Sequence, residues 1–271
     1  MKFSSLSSPL IGAVAACVLL PTSVMAQDNT SDVAKSLSNP VADLISVPFQ
    51  LNYDDHIGPA DNGNRFLMNI QPVVPFSLND NWNLISRTIL PVESQQDIFP
   101  GAGSQSGIGD TVQSFFLSPK APTAGGWIWG VGPVLLLPTG TDKLLSGEKW
   151  GAGPTGVVLR QQGPWTYGVL VNQIWSFAGS RSRTKINATF VEPFLAYTTP
   201  EAWTYTVTTE TTYDWTARKA SVPINAEIAK IMKIGKQLVS IGGGVRYWVE
   251  SPTTGPKDFG VRFTVTLLFP K

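Results

Sequence analysis

From about residue 43 to the C-terminus the chain alternates apolar and polar residues with a period of two, the pattern of strands whose two faces meet different surroundings. In the last such segment Val261, Phe263, Val265, Leu267 and Phe269 share one face, and Arg262, Thr264 and Thr266 take the other. An earlier segment sets Trp203, Tyr205, Val207 and Tyr213 against Thr204, Thr206, Thr208, Glu210 and Thr212. Breaks at Gly, Pro, Asn and Asp clusters predict strands at 43–53, 65–77, 82–92, 108–118, 127–138, 152–161, 165–177, 186–198, 203–214, 222–232, 237–249 and 259–269. The fourth and sixth alternate least clearly.

The connections also alternate. Short ones fall at 79–81, 162–164, 199–202 and 233–236, with a moderate one at 119–126. Longer polar loops fall at 54–64, 93–107, 139–151, 178–185, 215–221 and 250–258. An even strand count with short turns on one rim and long loops on the other predicts an all-β fold. It is a transmembrane antiparallel β-barrel of about 12 strands with periplasmic turns and extracellular loops.

A soluble sandwich also alternates, so the aromatics decide between the two. Trp165 and Tyr167 open one strand and Trp175 and Phe177 close it on the same face; Trp203, Tyr205, Tyr213 and Trp215 repeat the arrangement. Ten residues at roughly 3.3 Å each, tilted about 40°, span about 25 Å along a barrel axis, the height of the apolar band between two aromatic girdles. A sandwich core gives no reason for that spacing. A soluble, carbohydrate-binding β-sandwich therefore stays the lesser alternative.

Composition agrees. Charged residues make up 14% of the 271, against nine Trp and a formal net charge of +1. There is no basic surplus to displace phosphate counterions, so nucleic acid is not an expected partner. The strongest basic run, Arg181-Ser182-Arg183-Thr184-Lys185, reads as a solvated loop.

Residues 1–26 read as a signal peptide, with Lys2, an apolar stretch from Leu10 to Leu20, and cleavage after Val24-Met25-Ala26. A lipoprotein-type cut before Cys17 is a rival, although the apolar run continues through it. Cleavage after Ala26 leaves no cysteine, so packing and hydrogen bonds must hold the fold. Residues 27–40 read as a polar periplasmic lead-in with one helical turn near Val33 to Leu37, and 41–271 as the barrel. No apolar run after residue 26 reaches the roughly 18 residues of a transmembrane helix. These features place the chain in the Gram-negative outer membrane, with membrane lipid and the barrel-assembly machinery as partners.

By parity the polar face, including Arg87, Glu192, Glu210, Glu227, Arg246 and Arg262, lines the barrel interior. Lys230 is the exception, sharing a face with Ile224 and Ile228, which suggests a strand end or a bulge. Twelve strands lie between eight-stranded barrels filled by side chains and porins with water channels. Passage of an unidentified small solute is thus the leading expectation. A structural or interaction barrel, plugged by arginine–glutamate pairs, is the alternative.

Other motifs carry little chemistry. Gly151-Ala152-Gly153-Pro154-Thr155-Gly156 matches a dinucleotide string, but a loop precedes it and a strand follows, so it reads as a loop-to-strand entry. His56 is the only histidine and sits in a polar loop, poorly placed to serve a hydrolytic serine. No enzyme, cofactor or metal is expected; Asp54, Asp55 and Asp61 lack calcium-loop spacing. Gly242-Gly243-Gly244 lies within a strand, where glycine relieves crowding or allows a bend.

The stretches 39–50 (NPVADLISVPFQ), 69–92 (NIQPVVPFSLNDNWNLISRTILPV) and 97–120 (DIFPGAGSQSGIGDTVQSFFLSPK) resemble a family of bacterial outer-membrane proteins. That family is named for a role in the MetA pathway of phenol degradation. The resemblance is specific over 39–120 and elsewhere extends to layout. It implies a transporter-like barrel; no residue here independently points to phenol. The ending Phe269-Pro270-Lys271 departs from the terminal aromatic common among such proteins.

Overall fold

The computed structural model describes residues 24–270, with side chains from residue 30 onward. Most of the expected signal peptide, and Cys17 with it, lies outside the described residues. A helix, α1 (Val24–Leu37), precedes fifteen strand segments joined in one antiparallel sheet. These are β1 (Ile45–Ile57), β2 (Gly63–Ile70), β3 (Val73–Ser77), β4 (Trp82–Gln96), β5 (Ser104–Ile108), β6 (Thr111–Pro119), β7 (Trp127–Leu137) and β8 (Lys149–Gln162). The rest are β9 (Trp165–Gly179), β10 (Asn187–Thr198), β11 (Trp203–Thr209), β12 (Thr211–Asp214), β13 (Lys219–Ile234), β14 (Gln237–Glu250) and β15 (Asp258–Phe269). Short interruptions divide β2 from β3, β5 from β6 and β11 from β12 without moving either half off the barrel wall. The sheet is therefore a closed barrel of 12 strands. It closes where β15 pairs with β1, from Ile45↔Phe269 to Tyr53↔Val261. Closure removes the edges that a spanning sheet could not expose to lipid.

Strand faces follow the alternation. On the outer face Trp165, Val171, Trp175 and Phe177 of β9 are exposed, as are Trp203, Tyr205 and Val207 of β11, Trp215 beyond β12, and Val261 and Phe263 of β15. Tyr167 and Tyr213 share those faces and are partly covered. Aromatics also gather as pairs near the strand ends. Trp165–Tyr197 (4.8 Å) and Trp82–Trp129 (5.9 Å) lie beside the short turns, and Tyr213–Trp215 (4.7 Å) and Tyr247–Phe259 (4.8 Å) beside the long loops.

Several local expectations need correction. Helix α1 is longer than the single turn expected near Val33 to Leu37, and 93–96 and 104–107 are strand rather than loop. Residues 54–57 belong to β1, so the first long connection is shorter than the sequence suggests. The glycine-rich string 151–156 lies wholly within β8. A Cβ at Gly153 would stand 1.7 Å from the Gln173 carbonyl oxygen, so its glycine serves close strand approach. Finally, Lys230 sits at an unbroken register between Trp203 and Ile241, with no bulge. Its ammonium lies 4.7 Å from the Trp203 ring, beside the short-turn rim. That is the usual way for a lysine on a lipid-facing strand to reach the interface.

The N-terminal segment enters the barrel. Val33 and Ala34 of α1, with Leu44, pack against Ala202, Ile231 and Leu268 at the short-turn end. Ser31 Oγ donates to the Thr199 carbonyl (3.2 Å), and Gln161 Nε2 donates to the Lys35 carbonyl (2.7 Å). On the far side Val41 joins Ile85, Phe116, Val157, Leu159 and Leu170. Residues 31–44 thus cross the mouth, α1 packing toward β10, β11, β13 and β15 and Val41 toward the β4–β9 wall, before the chain enters β1.

Candidate functional site: the barrel interior

The interior is divided by chemistry. From β4 to β10 its wall is mainly apolar, with Arg87 and Glu192 on its two end strands: Ile85, Phe116 and Leu159 are fully buried there, and Val73, Ile128, Phe190 and Phe194 pack around them. From β11 round to β2 it is polar and ionic. Alternation places all six charged residues expected inside on the face opposite the exposed aromatics.

Five charged groups form one ladder in the polar half. Arg65 Nη2 donates to Asp54 (3.2 Å), whose other oxygen accepts from Trp248 Nε1 (2.9 Å). Arg246 bridges Asp54 (3.6 Å) and Glu210 (3.2 Å), and its guanidinium stacks 4.5 Å from the Trp248 ring centroid. Arg262 donates from Nη2 to Glu210 (2.8 Å) and from Nε to Asn52 Oδ1 (2.7 Å). Asp54 has no exposed surface, so these pairs replace the hydration that burial removes.

The remaining pair of glutamates sits nearer α1. Glu192 lies 4.0 Å from Arg87, which donates to Gln71 (3.3 Å); Gln71 in turn donates to Gln50 (3.3 Å). Glu227 accepts from Thr264 Oγ1 (3.2 Å) and makes no ion pair among the described residues. A Cβ at Gly242 would stand 2.5 Å from Glu227 Oε1, so the glycine at that position leaves room for the carboxylate.

Two cavities flank the N-terminal segment. One, of about 250 Å³, lies among Leu37, Pro40, Glu192, Phe194, Thr204 and Glu227. The other, of about 140 Å³, lies among Pro40, Ala42, Gln71, Arg87 and Glu192. Sequence reasoning missed the intruding segment and the apolar half-wall. The spacing of Val33, Leu37, Val41 and Leu44 in an otherwise polar stretch was the available signal for the first.

At the long-loop end, loop 138–148 is pinned inward. Asp110 accepts from Gly140 N (3.1 Å), Ser146 Oγ (2.6 Å) and Gly147 N (2.7 Å), and Leu145 is buried. Arg183 from the neighbouring loop donates to the carbonyls of Lys143 and Ser146 and pairs with Glu148 (3.7 Å). His56 is exposed at the end of β1, and no hydrogen bond joins its imidazole to a serine among the described residues.

No family model and no curated protein matches the sequence. Solved structures do match in fold. The chain superposes on the crystal structure of the COG4313 outer membrane channel from Pseudomonas putida F1 with a TM-score of 0.64 and 16% identity, covering 83% of this chain and 94% of that one. Weaker likenesses are to outer membrane phospholipase A from Escherichia coli (TM-score 0.48, 11% identity, 88% and 98% covered) and to the NanC porin (TM-score 0.48, 9% identity, 84% and 100% covered). At these identities the likeness concerns architecture: the chain has the fold of outer-membrane β-barrels, a channel among the proteins that share it.

Proposed function

We propose that the barrel passes a small solute across the outer membrane through its interior, along the seam between the ionic and apolar half-walls. The observation that carries this reading is the 250 Å³ cavity beside Pro40, where Glu192, Glu227 and Thr204 face Leu37 and Phe194. A space walled on one side by carboxylates and hydroxyls and on the other by apolar side chains suits a solute with one polar and one apolar face. Arg87, Glu192, Glu210, Glu227, Arg246 and Arg262 then line the route. Outer-membrane lipid surrounds the aromatic girdles, and the assembly machinery receives the C-terminal strand β15. The resemblance over residues 39–120 to transporter-labelled barrels agrees with this reading.

The test is permeation. In liposome-swelling assays the full-length mature protein should admit small aromatic alcohols or amines faster than sugars of equal size. In planar bilayers it should conduct weakly, and a form lacking residues 27–40 should conduct more. If neither form conducts or admits any solute, the second reading takes over, a structural barrel closed by its own residues. The packing of Val33, Ala34 and Val41 across the mouth is the observation favouring that alternative.

A further inference from the structure

One sector of the outer wall is polar where lipid should meet it. At the long-loop ends of β9, β10 and β12, Gln173, Asn187, Thr189 and Trp215 belong to the outward-facing set, level with Tyr213 and Trp175. They satisfy one another: Gln173 Nε2 donates to Asn187 Oδ1 (2.8 Å), Thr189 Oγ1 donates to Gln173 Oε1, and Trp215 Nε1 donates to Thr189 Oγ1 (2.8 Å). Such a chain of amide and hydroxyl groups does not suit acyl chains, and it lies at the height of the upper girdle, where lipid headgroups meet the wall.

Above it stand the cations. Loop 180–186 carries Arg181 and Lys185, and the adjacent loop 215–218 carries Arg218; all three are exposed and make no ion pair among the described residues. Thr216 Oγ1 donates to the Lys185 carbonyl (3.1 Å) and ties the loops together. The nearby acids are occupied, Glu148 by Arg183 and Asp214 by the amides of Thr216 (2.7 Å) and Ala217 (3.0 Å). The opposite sector of this rim is acidic, with Asp61, Asp97, Glu250 and Asp258 against Lys257. The cluster of unpaired cations thus stands over the polar patch of β9, β10 and β12. A second outward polar patch, Ser86, Thr88 and Gln113 on β4 and β6, has no such cluster above it among the described residues.

We propose that this sector seats the phosphorylated sugar headgroup of an outer-leaflet glycolipid. The phosphates would meet Arg181, Lys185 and Arg218, and the sugar hydroxyls would meet the Gln173–Asn187–Thr189–Trp215 chain. Phosphate is recognised by such cations near a membrane surface, and a saccharide needs the donors and acceptors beneath them. A phospholipid could supply the phosphate but has no hydroxylated ring to engage the outward amides.

The test uses the full-length mature barrel in detergent with bisphosphorylated lipid A as probe. Binding should be saturable and raise the thermal midpoint, and the R181A/K185A/R218A variant should bind about a hundredfold more weakly, each cation contributing on the order of fivefold. The short-turn-rim variant K233A/K236A should bind like the parent. Heat-modifiable gel mobility checks folding, and if the triple variant does not fold, Lys185→Gln alone carries the test with an expected loss of about fivefold. Equal binding by the triple variant, or equal affinity for dephosphorylated lipid A or phosphatidylglycerol, overturns the proposal.

Discussion

Arg262 Nη2 lies 2.8 Å from Glu210 Oε2 with only 3% of the arginine side chain exposed, and Arg246 Nη2 approaches the same oxygen at 3.2 Å. One carboxylate oxygen is therefore shared by two buried guanidinium groups, and Arg246 has Asp54 as a second partner. Glu210 sits at the break between β11 and β12, the point where its strand leaves regular pairing. Replacing it by Gln leaves two cations short of a counter-charge and should cost about 3 kcal/mol of stability, the usual consequence of breaking a buried pair from one side. Guanidinium unfolding of the micelle-bound protein measures this. A double-mutant cycle with Arg246→Met should show strong coupling, because the double variant removes part of the uncompensated charge. Additivity would mean that the pair is hydrated and inconsequential.

The glycine triplet predicts a graded response. A Cβ at Gly244 would stand 2.2 Å from the Ala226 carbonyl oxygen, which is backbone and cannot move away cheaply. At Gly242 the nearest atom is the mobile end of Glu227 (2.5 Å), and at Gly243 the nearest is the Arg262 carbonyl oxygen at 3.9 Å. Gly244→Ala should destabilise by about 1–3 kcal/mol, Gly242→Ala by less, and Gly243→Ala hardly at all. Equal losses at all three would point instead to a general need for flexibility in β14.

The layout of twelve strands was legible because lipid imposes one rule on most outward positions. Val261 and Phe263, or Trp165 and Trp175, announce their face without help from neighbours. Alternation faded in the fourth and sixth predicted strands for a physical reason. Phe116 in β6 and Val157 and Leu159 in β8 point into the apolar half of the interior, so apolar residues occur on both faces of those strands. The ends of β1 were read short because Asp54, Asp55 and His56 look like a loop. In the barrel Asp54 is an inward residue whose charge is matched by Arg65 and Arg246, partners distant in sequence. The signal for the crossing segment 31–44 was present as apolar spacing, but nothing local says that its partners are the inner wall.

The loop pair Asp61 and Lys257 should show a modest pH effect. The Lys257 ammonium, 2.8 Å away, donates to the Asp61 carboxylate and holds its pKa below the ordinary value, the gain in hydrogen bonding outweighing the slight opposing effect of burial. A lowered folded-state value means that the contribution is complete above the unfolded-state pKa and fades as pH falls through the folded one. Both side chains are well exposed, so the effect on global stability should be negligible. A carbon-13 titration of Asp61 should give a value that returns to normal in Lys257→Ala. An unchanged value in that variant would mean that the contact between loops 58–62 and 251–257 does not persist in solution.

A charge placed at mid-depth on the outer wall tests the membrane assignment itself. Val171 lies midway between Trp165 and Phe177 on β9, is 39% exposed, and has Gly156 and Val191 as cross-strand neighbours. Val171→Arg puts a guanidinium where lipid is driest and should cost about 2–4 kcal/mol in a bilayer. Lys230, by contrast, already reaches the short-turn rim over Trp203, so Lys230→Met should change stability little. Unfolding in liposomes, where the bilayer thickness is fixed, separates the two outcomes. If Val171→Arg were neutral there while Lys230→Met was costly, the apolar band would not face lipid at that height, and the depth scale read from the two aromatic girdles would have to be abandoned.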